Sequence, residues 1–548
     1  MTATASSPIV RAAAVVVTLA VAGLAAVVFG CNPAHAAPRR KVLPQLIVVE
    51  RSWPPIVSVV AVLEPGSDSD PEGREGLTSV CWQAALAGAG GRDRAAFAAA
   101  LDALGARIDI DVGKAATFLV GEVLADQLDA FLPLFADALL RPRFDPGEVD
   151  RIRREQVAAL QERLDDDEAL ADDAAVRYLF RNLRGGRPTD GTAASLARIG
   201  VDDVRRHHAG MIRRGRTRLG FAGAVDHVRA EALAARWLAG LPAGHGYRRQ
   251  RAKPPLLAGR RLLVLNRADR KQAQIVVALP MPGATSRHAV ALQLVRTVLG
   301  GTFTSRLVHQ VRELRGWSYS ADAELVVGSD QGAMLLRWAP GNGDVHESLQ
   351  LVVGLVEDLG RLGITDAELG FARDHLVAAH AHALETAEGE LVERLHALVL
   401  GLPEDHVAQF PAHLAAVGQA DIRRALSAAL DSGRMAAVVV GNGRAFYDHL
   451  SRPTAAFEVE VVAAHLAPET TRGAERKPGQ RPVEQVPTAP PRWQDMEDEL
   501  IGPGFDDGGE QEEPDAAALP GAATAQDEPE DDDVDVDDDV DVDEDVAP

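Results

Sequence analysis

The 548-residue chain has 16 histidines, and none of them lies between His35 and His207. Two imidazoles one helical turn apart are the usual grip on a hydrolytic zinc ion, so this stretch offers no such pair in any register. Cys81 is the one soft ligand there, and a lone thiolate beside a carboxylate is not a zinc site; a small apolar core role suits it better. Farther on, His375, His380, His382 and Glu385 fall on a predicted helix. Their spacing puts only His375, His382 and Glu385 on one side, which reads as a solvated helical face. His207 and His208 precede an apolar strand and are expected at the surface. The sequence contains no P-loop, dinucleotide fingerprint or Gly-x-Ser-x-Gly elbow.

The elements that would carry such residues are duplicated. QLIVVER, ending at Arg51, recurs as RLLVLNR, ending at Arg267, and the apolar run Ile56–Leu63 recurs in a run ending at Leu279. Both recur at the same offset. Near the end of each half, Asp203-Val204-Arg205-Arg206 recurs as Asp421-Ile422-Arg423-Arg424, and Arg216 and Gly223 match Arg434 and Gly441. A nearly constant offset over a whole unit means two copies of one fold. Ile56–Leu63 and Gln274–Leu279 are strand-length β-branched runs, and Arg107–Val123 reads as two strands around a turn at Gly113-Lys114. Leu124–Leu140, Glu347–Leu362 and Asp366–Leu400 have apolar residues at helical spacing. The expected class is α+β: two tandem homologous α+β sandwich domains, each a mainly antiparallel sheet with helices on one face.

Charge is unevenly distributed. Of the formal −23, the segment Phe505–Pro548 contributes 20 acidic residues and no Lys or Arg, leaving the rest of the chain at −3. Nucleic-acid binding through a basic face is unsupported. The expected organisation is an export signal over 1–36, a first domain over 41–243, a linker over 244–255, a second domain over 256–466, and a disordered Pro-rich and acidic tail over 467–548. The signal consists of Arg11, the apolar run Ala12–Phe29 and the small-residue site Ala34-His35-Ala36. It implies a periplasmic or otherwise exported protein. Two alternatives stay open: lipidation at Cys31 with a membrane tether, and an uncleaved anchor.

Three stretches together resemble the insulinase/pitrilysin (inverzincin) family of zinc peptidases: LEPGSDSDPEGREGLTSVCWQAALAG, LDALGARIDIDVGKAATFLVGEVL with the following LLRPRFDPGEVDRIRRE, and LGGTFTSRLVHQVRELRGWSYSADA. They fall in the family's order, and the resemblance covers roughly Lys41 to His465. It implies two tandem α+β units around a substrate chamber, often completed by a second such pair. Family peptidases carry His-x-x-Glu-His on the first helix, but here those positions hold Ser79, Trp82 and Gln83. The distant third ligand falls at Glu162, or at Leu160 or Gln161 in a shifted register. The resemblance therefore implies a chain that binds no metal itself, has no catalytic residue of its own and is inactive alone.

The second copy matches a family stretch, Leu-Arg-x-x-x-Gly-x-x-Tyr, that contributes to the far wall of the chamber. Arg312 and Tyr319 fit it, with Val311 in place of the Leu. A guanidinium and a phenol can donate hydrogen bonds to a peptide carbonyl or to a developing oxyanion. The resemblance thus implies a non-catalytic, substrate-binding subunit of a heterodimer, with zinc in a partner chain of the same family and a peptide or small polypeptide as substrate. The alternative is a non-enzymatic scaffold or peptide-binding protein on the same two-domain fold.

Overall fold

The computed structural model describes residues 46–180, 184–245, 258–450 and 457–463. The expected export signal, most of the linker and the 467–548 tail lie outside the described residues. In the first half, five strands, β1 (Leu46–Glu50), β2 (Ile56–Leu63), β3 (Arg107–Val112), β4 (Thr117–Leu124) and β5 (Thr217–Gly223), form a sheet of order β1-β5-β2-β4-β3. Only β1 and β5 pair in parallel. Its helices are α1 (Leu77–Leu86), α2 (Arg94–Asp102), α3 (Leu128–Leu140), α4 (Pro146–Asp165), α5 (Asp167–Leu179), α6 (Val201–Met211) and α7 (His227–Gly240).

The second half repeats the plan with β6 (Arg260–Asn266), β7 (Gln274–Pro282), β8 (Ala321–Val327), β9 (Gln331–Trp338), β10 (Met435–Gly441) and β11 (Glu458–Ala463), in the order β11-β6-β10-β7-β9-β8. Here β6 pairs in parallel with both β10 and β11, and the other pairs are antiparallel. Its helices are α8 (Ala289–Gly300), α9 (Val345–Leu362), α10 (Asp366–Ala383), α11 (Ala387–Leu400), α12 (His406–Ala416), α13 (Gln419–Ala429) and α14 (Gly443–Leu450). None of the described helices is long and apolar enough to cross a membrane.

The duplication extends to the caps. Asp203 accepts from the Gly200 amide at 3.1 Å, and Asp421 accepts from the Gly418 amide at 3.1 Å. Arg206 and Arg424 then bond the other oxygen of those carboxylates at 2.5 Å each. An acceptor at the third helical position satisfies a donor left free at a helix start, so the repeated Asp-x-x-Arg is a local folding instruction used twice.

Strand β2, IVSVVAVL, is apolar on both faces because both faces are covered. Val57, Val59, Ala61 and Leu63 join the core made with the first half's own helices, including Trp82, Phe131 and Phe135. Val60 and Val62 point the other way, onto Leu391, Leu395 and Leu398 of α11 in the second half. The exchange is mutual: Leu170, Ala171, Ala174 and Tyr178 of α5 cover Leu263, Leu265, Val276 and Val438 of the second sheet. Each sheet thus has its own helices on one face and a single helix of the other half on the opposite face. Gly220 of β5 shows how closely α11 sits, since a Cβ there would lie 2.6 Å from a Leu391 methyl.

The repeated arginines at the ends of β1 and β6 fasten these two helices. Arg51 donates to the carbonyls of Leu384 (2.8 Å) and Glu385 and to Glu390 (3.0 Å), at the start of α11. Arg267 donates to the carbonyls of Leu164 and Asp165 and pairs with Asp167 at 3.2 Å, at the start of α5. Arg337 of β9 adds a fan onto Asp172 of α5 (2.7 Å), Asp322 (2.9 Å) and Glu324. Two expected helices change accordingly. Leu124 ends β4, and α3 starts at Leu128. The expected single helix over Asp366–Leu400 breaks at Ala383 and restarts when Thr386 accepts from the Gly389 amide at 2.9 Å, which releases α11 toward the other sheet.

Candidate functional site

Helix α1 begins at Gly76, whose φ of +91° is a left-handed conformation suited to glycine. Asp70 fixes that start: it accepts from the amides of Gly76 (2.9 Å) and Thr78 (3.0 Å) and from the Thr78 hydroxyl (2.6 Å). The Thr78 oxygen lies 2.8 Å from His207 Nε2. With its own proton committed to Asp70, the hydroxyl accepts the His207 N–H. Burial pushes Asp70 up to about 6, against the lowering effect of the Thr78 and Gly76 hydrogen bonds. Burial, with a contribution from His208, pushes His207 down to about 4, so its ring is neutral.

The expectation that His207 and His208 lie at the surface is corrected here. Helix α6 turns both rings inward: His207 against α1, and His208 onto the Leu139 carbonyl at 2.9 Å. The side chain of His207 is 10% exposed, and residue His208 is 8% exposed. Trp82 packs against the His208 ring, with centroids 5.4 Å apart.

At the α1 positions where family peptidases hold zinc, the side chains are taken up by internal hydrogen bonds or by the core. The Ser79 hydroxyl donates to Asp190 at 3.1 Å and accepts from the Gln83 amide at 3.0 Å. Trp82 is wholly buried in the core, and no partner among the described residues reaches its indole N–H. On α4, Leu160 packs against the core, Gln161 and Glu162 are exposed, and Gln156 donates to the Asp190 carbonyl at 2.7 Å. Cys81 is fully buried, its thiol directed to the Val204 carbonyl at 3.7 Å and pushed well above its ordinary range by burial. Ser79, Trp82 and Gln83 supply no imidazole, thiolate or carboxylate, and one exposed carboxylate, Glu162 on α4, does not make a zinc site with them, so this set does not fit a zinc ion. Among the described residues, no group of three or more His, Cys, Asp or Glu is placed to hold a metal. His382 pairs with Glu385 at 3.1 Å on an exposed turn, and His375 stacks on Phe371. His380, which the spacing sets apart from that face, meets Phe410 at a centroid distance of 5.0 Å.

In the second half, Arg312 and Tyr319 come together. Residues His309–Glu313 form a π turn, in which the Leu314 amide donates to the His309 carbonyl at 3.0 Å. Such turns add a residue to a helix and re-aim its side chains. The chain then reverses, with the Trp317 amide donating to the Val311 carbonyl at 2.9 Å. Arg312 Cζ thereby sits 5.0 Å from the Tyr319 ring centroid, in cation–π range. Tyr319 is 86% exposed, and Phe303 (82%) and Leu314 (60%) are the other large apolar side chains exposed in this stretch. Ser318 anchors the turn: its hydroxyl donates to the Ser320 carbonyl at 2.5 Å and accepts from the Ala339 amide at 2.8 Å. Nothing in the sequence pattern marked Ser318, because a serine reads alike whether its hydroxyl faces water or a buried amide.

Two family descriptions match the chain: "Insulinase (Peptidase family M16)" over residues 46–193 and "Peptidase M16 inactive domain" over residues 198–376. An uncharacterized zinc protease of Mycobacterium tuberculosis is 28% identical over 372 residues, 66% of this chain and 83% of that protein. One from Mycobacterium leprae is 29% identical over 289 residues, 51% of this chain and 63% of that protein. A protein of Helicobacter pylori named a non-peptidase homolog is 22% identical over 312 residues, 56% of this chain and 71% of its own length. Among solved structures, a peptidase M16 inactive domain from Pseudomonas fluorescens superposes with a TM-score of 0.68 at 21% identity, covering 73% of this chain and 96% of that one. The chain belongs to the insulinase (M16) peptidase family. Its residues 198–376 match the family's inactive domain, and its first helix carries Ser79, Trp82 and Gln83 where family peptidases carry His-x-x-Glu-His.

Proposed function

We propose that the chain is the non-catalytic subunit of an exported, periplasmic zinc endopeptidase, pairing with a family chain that carries His-x-x-Glu-His and all of the zinc. The observation that carries this reading is a contrast. On α1 the former metal positions are held in internal hydrogen bonds and core, while Tyr319 is open to solvent with the half-buried Arg312 over its ring. A phenol open to solvent beside a guanidinium that pairs with the adjacent Glu313 at 3.7 Å, both held by a buttressed turn, suits contacts to a partner-bound peptide better than it suits folding.

In the assembled enzyme, Arg312 would donate to a substrate carbonyl or to the oxyanion that forms from it. The Tyr319 hydroxyl would supply a second donor and its ring a face for the guanidinium. The test is coexpression with the zinc-bearing partner, comparing peptide turnover by the parent complex with that of Arg312→Ala and Tyr319→Phe. Turnover unchanged in intact complexes would defeat the role of the pair. Failure of any zinc-bearing family chain to copurify would favour the scaffold alternative.

A further inference from the structure

A cavity of about 760 Å³ lies in the second half, between the loop after β7, the end of β8 and helices α8, α10, α11 and α12. Its volume is in the range of small-molecule sites, and most of its wall is apolar, including Leu292, Leu376, Leu400, Val407 and Phe410. The polar side chains on that wall include four imidazoles, His380 of α10, His396 of α11, and His406 and His413 of α12, besides Thr285, Ser286, Gln293 and the charged Arg287 and Glu393. Three of them cluster around Phe410: His380 at 5.0 Å and His406 at 6.0 Å between centroids, with His413 5.8 Å from His406. His396 is turned edge-on to Phe118 of the first sheet. The cavity is therefore built partly by α11, the helix that crosses between the halves.

We propose that this cavity binds a small amphiphilic carboxylate, its hydrocarbon portion among the leucines and its carboxylate against His380, His406 and His413. Charge balance decides the class of head group. The charged side chains lining the cavity are Arg287 of the loop after β7 and Glu393 of α11, and Asp405 stands beside His406 at the start of α12. With Arg287 as the one fixed cation among the described lining residues, bonded to His288 at 3.2 Å and offset by Glu393, the wall cannot neutralise a phosphate dianion. It can match a single negative charge by taking up a proton. Burial and the neighbouring His413 and His380 lower the pKa of His406, and Asp405 opposes them. An imidazole held neutral in this way charges when a carboxylate arrives, so binding takes up a proton and tightens as pH falls.

The experiment is calorimetric titration of the full chain with sodium decanoate at about pH 5.5 and about pH 8, in buffers of two ionisation enthalpies, with decanol as the uncharged control. Saturable decanoate binding with proton uptake, roughly tenfold tighter at the lower pH, is the expected result. His406→Gln should flatten the pH dependence and His413→Gln should weaken decanoate binding severalfold, neither changing the melting temperature. If His406→Gln fails to fold, the exposed His413 still carries the comparison. No saturable binding, equal binding of decanol and decanoate at both pH values, full pH dependence retained in folded His406→Gln, or undiminished binding by His413→Gln would overturn the proposal. This site is independent of the proposed pairing with a zinc-bearing chain, and its test needs no partner.

Discussion

Helix α1 of the first half and the turn carrying Arg312 in the second are built from opposite choices. Along α1 the polar atoms of Thr78, Ser79 and Gln83 are spent on one another, on Asp70 and on Asp190, and Trp82 is sealed in the core. In the Arg312 turn the backbone and Ser318 make most of the internal bonds, which leaves the phenol outside and the guanidinium half-buried beside Glu313. The first arrangement favours stability, since every substituted position adds packing or a satisfied hydrogen bond. The second exposes large side chains that contribute little to folding, and such exposure is what a binding surface requires. The shared scaffold therefore does not dictate what each half does.

The contrast can be broken most decisively at Trp82. Truncation by Trp82→Ala should destabilise the chain by about 3–5 kcal/mol, read from denaturant unfolding, because it empties a fully buried site. A cost below about 1 kcal/mol would mean that α1 is not the packed element described. Next is Arg312→Ala, which should lower turnover of the assembled peptidase by about ten- to a thousandfold with folding unaffected.

The third test concerns pH. Asp70, raised to about 6, favours the folded state when protonated, and that contribution is lost as pH rises from about 4 to about 6. His207, lowered to about 4, favours the folded state when neutral, and that contribution is lost as pH falls from about 6.5 to about 4. The two slopes oppose each other, so their sum is nearly flat over this window. Asp70→Asn should uncover stability that falls on acidification, and His207→Gln should uncover stability that falls as pH rises, each on the order of 2–3 kcal/mol. Parallel pH profiles for both variants and the parent would contradict the buried pairing. The smallest effect belongs to Tyr319→Phe, whose unfolding free energy should stay within about 0.5 kcal/mol of the parent, since the ring is exposed.

Much of the scaffold was legible from residue order because it is written twice. The runs ending at Arg51 and Arg267 became β1 and β6, and the two Asp-x-x-Arg segments became matching helix starts. The sequence could not say that those arginines fasten helices of the opposite half, since their acceptors lie more than a hundred residues away. Periodicity also read Asp366–Leu400 as one helix, because a break set by the Thr386 cap leaves the apolar spacing on either side intact.

The lack of imidazoles at α1 is a property of composition, which no tertiary arrangement can repair, so the sequence alone determined that this helix cannot present a His pair. Placement was the work of the tertiary structure. His207 and His208 look like any polar pair in the chain but are driven inward by the face on which α6 packs, and Arg312 meets Tyr319 only through a π turn and a chain reversal. Residue types set which bonds are available, whereas burial and neighbours set which are made, and those depend on contacts between segments that the linear order keeps apart.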